Sequence, residues 1–120
     1  MPVPLSSLIP DAVDLLALEV EELAGVLLVH LNSLGDNSGD GVASRGRISH
    51  QNFFAALESR LGYEPEYGSR QAEVNLALME EWSWLQGEGF LVRAADQPLD
   101  WFFLSRRARR LRSREEFEAA

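Results

Sequence analysis

The sequence predicts a mainly helical α+β domain carrying one small β-hairpin, and three observations carry that prediction. Stretches 11–33, 49–62 and 69–89 place apolar residues three and four apart, the period of a helix with one buried face. "FLVRAA" at 90–95 and "WFFLS" at 101–105 concentrate aromatic and branched residues on either side of "DQPLD", whose residue types form turns. A short Arg-rich helical stretch follows. The resulting order, helix-helix-helix-hairpin-helix, is that of a winged helix-turn-helix, in which the hairpin is the wing. The 120 residues suit one domain, able to bury roughly two thirds of its unfolded surface.

Taken in order, residues 1–10 hold Pro2, Pro4 and Pro10 and read as an irregular lead-in. Asp11 can cap the next helix by accepting its free N–H groups. Leu16, Val20, Leu23, Leu27 and Leu31 then form one apolar stripe, with Asp14, Glu21, Gly25 and Asn32 opposite and room for a break near Leu18-Glu19. Residues 34–47 are rich in Gly and Asp and read as a loop. "RISHQNFFAALESRLG" reads as a brief extended pair followed by a helix; Ser49 caps this second helix, which buries Phe53, Phe54, Leu57 and Leu61 and ends at Gly62. Ser69 caps a third, closing at Gly87 or Gly89. The domain is expected over 11–112, with the wing at 90–105 and 113–120 as a C-terminal tail or the start of a linker.

Composition narrows the chemistry. The sequence has no cysteine, which excludes disulfides, thiolate metal sites and cysteine nucleophiles. Its first residues lack a basic segment and a long apolar run, and nothing reaches the ~18 apolar residues of a membrane span, so a cytoplasmic protein without membrane contact is expected. All eleven basic residues are Arg, a usage typical of high-GC bacterial genomes. The net charge of −8 is unevenly spread, because Arg106, Arg107, Arg109, Arg110, Arg112 and Arg114 fall in 105–114 with no acid among them.

"LMEEWSWLQGEGFLVRAADQPLDWFFLSRRARRL" at 78–111 resembles the winged-helix module at the N-terminus of uncharacterised bacterial Ymh-type proteins. There a Trp-x-Trp-Leu-x-x-x-Gly-Phe/Leu-like run at the end of the third helix leads into a wing ending in Trp-x-Phe-Leu/Ile-Ser/Thr-Arg-Arg. "EELAGVLLVHLNSL" at 21–34 is similar to that module's first helix, so the resemblance spans roughly 18–118. It implies the fold, attachment to a following effector domain and a link to phage defence. No catalytic residue is implied.

Four candidate sites follow from the residues. Asp36, Ser38 and Asp40 stand at positions 1, 3 and 5 of an EF-hand-like loop, with Gly41 at 6. Position 12 is Arg47 where a bidentate Glu belongs, so the loop reads as a joint and only a weak calcium candidate. On the third helix, Val74, Leu78, Trp82 and Leu85 turn inward. Glu73, Leu76, Glu80, Ser83 and Gln86 turn outward, and Glu81 lies nearer the buried side, where an Arg could pair with it. Trp82 and Trp84 point about 160° apart on a helix, so one ring reaches the surface. His30 reads as core and His50 as exposed. No Ser–His–acid set, catalytic carboxylate pair or phosphate-cradling loop can be assembled, so no enzyme and no cofactor are expected.

The expected function is a non-catalytic binding module. Glu73, Leu76, Met79, Glu80 and Trp84 dock a protein partner or a neighbouring effector domain. Two outward carboxylates would repel phosphate, which supplies most non-specific DNA affinity. The alternative is a DNA-binding winged helix, a transcriptional regulator or nucleic-acid sensor on double-stranded DNA. It places Arg70, Gln71 and Asn75 at base edges and Arg93, Arg106, Arg107 and Arg110 on phosphates. Exposed aromatics also leave room for a homodimer.

Overall fold

The computed structural model describes residues 5–36, 43–44, 47–58, 65–95 and 100–119. Helices α1 (Ala12–Ala17) and α2 (Val20–Asp36) lead to strands β1 (Ala43–Ser44) and β2 (Arg47–Ser49) and helix α3 (His50–Glu58). A 3-10 turn (Gly68–Arg70) runs into α4 (Gln71–Gly87), then β3 (Leu91–Arg93), β4 (Trp101–Leu104), α5 (Arg106–Arg109) and α6 (Arg114–Ala119). The architecture is mainly helical with a small antiparallel sheet.

The break at Leu18-Glu19 is present and is made by side chains. Asp11 Oδ1 accepts the Val13 amide at 2.8 Å to start α1, and Glu22 Oε1 reaches back to the Glu19 amide at 3.1 Å to start α2. Leu23, Leu27 and Leu31 are buried as expected, whereas Val20 is exposed. The opposite face is solvated at Asp14 and Glu21 and covered further along. Gly25 and Asn32 are buried too, because α2 packs on α4 along one side and carries α5 and α6 on another. A helix clad on several sides needs no polar stripe.

Asn32 and Gly25 each seat a later element. The Asn32 amide nitrogen donates to the carbonyls of Ala108 at 3.0 Å and Leu111 at 2.9 Å, fastening the end of α5. A Cβ at position 25 would lie 2.8 Å from Phe117 Cδ1, so the glycine is the notch into which the α6 ring fits. Residues 114–119 are therefore part of the packed domain and not a tail. The lead-in is likewise anchored: Leu5 and Ile9 join the core, and the Tyr67 hydroxyl donates to the Ile9 carbonyl at 2.8 Å.

The strand order is β1-β2-β4-β3, all antiparallel, with Ile48 opposite Phe102 and Val92 opposite Phe103. The expected two-stranded hairpin thus gains two strands from within the expected loop and the segment after it. Their two- and three-residue lengths are too short to show alternation in sequence. Ser49 joins this sheet to α3: its hydroxyl donates to Asp100 Oδ2 at 2.8 Å and accepts the Asn52 amide at 3.1 Å. Ser69 does not cap α4, which is entered through the 3-10 turn instead. The helix ends in a Schellman turn, with the Phe90 amide on the Leu85 carbonyl at 2.9 Å and Gly89 at φ 80°.

Candidate functional site

Helix α4 carries the candidate docking residues Glu73, Leu76, Met79, Glu80 and Trp84. Val74, Leu78, Trp82 and Leu85 are buried, and Trp82 is the centre of an aromatic cluster with Phe53, Phe54, Phe102 and His50. Glu73, Leu76, Met79, Glu80, Ser83 and Gln86 face solvent. Leu76 is 64% and Met79 40% exposed, on adjacent turns and between the two carboxylates. Trp84 is half-buried, lying beside Phe90 and Phe117 and away from the Leu76–Met79 stripe.

Two residues assigned to base edges are in the wrong place for it. Gln71 and Asn75 are 4% and 5% exposed. The Gln71 amide donates to Asn75 Oδ1 at 2.8 Å, and its carbonyl oxygen accepts the Tyr67 amide at 2.9 Å. A polar pair one turn apart can satisfy itself and be buried, which residue type alone does not announce. Arg70 is bound to Glu73 at 2.8 Å, an exposed pair that raises the arginine's pKa and lowers the carboxylate's through the hydrogen bond and charge they share. Of the three residues expected at base edges, Arg70 alone keeps its side chain at the surface.

Glu81 is 3% exposed, and its Oε1 has no hydrogen-bond partner. Among the described residues no arginine pairs with Glu81 Oε1. Burial first, and the neighbouring Glu80 charge second, push its pKa up to about 7. His50 is half-buried, contrary to the expectation of exposure; burial lowers its pKa, and the nearby Asp100 carboxylate partly offsets that. Ser49, His50 and Asp100 do come together. The Ser49 hydroxyl is 1% exposed and held between Asp100 and the Asn52 amide, the arrangement of a helix cap. Beside it a hollow of about 230 Å³, lined by His50, Trp82, Ser83, Gln86, Asp100 and Phe102, extends the α4 outer face.

The arginine run is used locally as well as displayed. Arg109 Nε donates to the Leu104 carbonyl at 3.1 Å and Arg112 Nε to the Arg109 carbonyl at 3.0 Å. Arg107 donates to the Glu88 carbonyl and lies over the Phe90 ring, 4.2 Å from its centroid. Arg93, Arg106 and Arg110 are exposed.

Of the weak calcium candidate, Asp36 ends α2, and Ser38 and Asp40 lie outside the described residues. Among the described residues no three His, Asp or Glu side chains converge as a metal site would require, and no helix is long and apolar enough to cross a membrane. Compared with known proteins, the chain matches no family model, no curated protein and no solved structure. Sequence reasoning missed the cleft formed by Trp84, Phe90 and Phe117. Its signals were a glycine in mid-helix at 25 and one aromatic residue, Phe117, among the acids of the C-terminal segment.

Proposed function

We propose that this chain is a non-catalytic winged helix-turn-helix module that docks a protein partner, or a neighbouring effector domain, through the outer face of α4. The antiparallel order β2-β4-β3, with β2 between α2 and α3, supports the winged-helix reading. The observation that carries the docking reading is the exposed pair Leu76 and Met79, bracketed by Glu73 and Glu80. An apolar centre with a charged rim is what a protein interface uses for an anchor. The acidic rim selects a partner whose own rim is basic. Burial of Gln71 and Asn75 weighs against groove reading by the same helix. The tie to Ymh-type proteins rests on the sequence resemblance of 21–34 and 78–111.

The test is photocrosslinking from positions 76 and 79, with the exposed Val13 as control, alongside duplex DNA binding across a salt series. One adduct from both α4 positions, absent from position 13 and lost in Glu73→Arg/Glu80→Arg, is the expected result. Tight DNA binding that weakens steeply with salt and fails in an Arg106→Ala/Arg110→Ala variant would replace this reading with the DNA-binding one.

A further inference from the structure

We propose that the cleft between the start of α2, the end of α4 and helix α6 is a binding site for an organic cation, a quaternary ammonium or guanidinium head. It lies apart from the Leu76–Met79 stripe and does not depend on that stripe's role. The cavity measures about 430 Å³, within the roughly 300–1,000 Å³ of small-ligand sites. Three rings converge on it. Trp84 and Phe90 have centroids 6.3 Å apart, Trp84 and Phe117 6.4 Å, and Phe90 and Phe117 5.6 Å. Glu21, Glu22, Glu88 and Glu118 surround them, against the single cation Arg107.

The chemistry follows from the rings as much as from the acids. An aromatic face carries a negative quadrupole, and a cation within about 6 Å of its centroid is attracted to it, most strongly by Trp. One face is already in use: the Arg107 guanidinium lies 4.2 Å from the Phe90 centroid. The cleft therefore holds a cation of the protein's own, while no guanidinium covers Trp84 among the described contacts. An anion would meet four carboxylates, and a neutral ligand would gain apolar contact alone. The walls are set by backbone rather than by rotamer choice. Phe117 sits in the Gly25 notch, and the left-handed turn at Gly89 delivers Phe90. Arg107 is then a built-in competitor, which an incoming cation displaces or sits beside.

The experiment is a titration of the full chain with choline and with its uncharged carbon isostere, dimethylbutanol, read by amide and indole NMR shifts. Saturable shifts centred on Trp84 and Gly25 with choline, and none with the isostere, are expected. Trp84→Ala should weaken binding roughly tenfold, Trp84→Phe much less, and Arg107→Gln should tighten it about threefold. Trp84→Phe, keeping a ring in place, separates loss of the site from loss of the fold. Equal binding of choline and its isostere overturns the proposal. So does the absence of any saturable shift, or indifference to both Trp84→Ala and Arg107→Gln. A trimethyllysine peptide competing at lower concentration than choline assigns the cation to a peptide side chain; the reverse order assigns it to a free small molecule.

Discussion

Asn32 on α2 and Glu81 on α4 are each 3% exposed, yet their polar atoms meet opposite fates. The Asn32 amide lies between two carbonyls at the end of α5 and donates to both. Glu81 Oε1 has no partner, and its carboxyl holds a proton up to about pH 7. The difference teaches that burial alone does not decide what a polar side chain does for a core. A donor facing stranded carbonyls is a staple, since the helix end would otherwise lose its acceptors' partners. A carboxyl among apolar neighbours is a cost that grows as it ionises.

The sharpest way to break this contrast is Asn32→Asp, which keeps the shape and replaces the donor with a buried anion facing two carbonyl oxygens. It is expected to cost about 4 kcal/mol at neutral pH and to recover partly in acid, where the protonated group can donate once. Chemical denaturation at several pH values checks this. Next in size is Glu81→Gln. Because the folded pKa is raised to about 7 from an ordinary value of 4.5, the contribution of Glu81 to native stability is fully present below the lower value and is lost as pH rises toward the upper one. Glu81→Gln should flatten that dependence and gain on the order of 2 kcal/mol at about pH 8, after allowance for solvent screening. At about pH 4 its melting temperature should match the parent. A parent–variant difference in melting temperature that stays constant from about pH 4 to about pH 8 sinks the assignment.

The smallest effect belongs to the second satisfied pair. Asn75→Ala removes the acceptor of the Gln71 amide while the Tyr67 amide keeps its bond to Gln71. About 1 kcal/mol is expected, independent of pH. A loss that changed with pH would mean that the Gln71–Asn75 pair is coupled to Glu81, one and a half turns along the same helix.

How much of this could be read in advance follows the same physics. Helical stripes, the Ser49 cap, the aromatic strands and the Gly89 stop are local patterns, and each stands in the structure. Leu76, Met79, Glu73 and Glu80 came out exposed because one buried face of α4 is enough to orient the rest. What was not legible depends on partners distant in sequence. Asn32 and Gly25 read as surface because one stripe was assumed for α2, which is clad on more than one side. Gln71 and Asn75 read as groove-facing because a self-satisfied buried pair has the same composition as an exposed polar one. Residues 1–10 hid Leu5 and Ile9 behind prolines, and His50 was drawn inward by Trp82, whose ring lies 4.8 Å away.

The strand order has a kinetic consequence. β3 and β4 follow one another in sequence and pair antiparallel, and such a hairpin closes in about 1–10 μs. β2 meets β4 only when Ser49 comes to lie opposite Trp101, with α3 and α4 in the intervening chain. That closure loses chain entropy before any pairing rewards it. Pairing of β2 with β4 is thus expected as the late event in assembly. Until it closes, the inner edge of β4 stands open, and a chain caught at that stage can pair with another copy of itself instead of with its own β2.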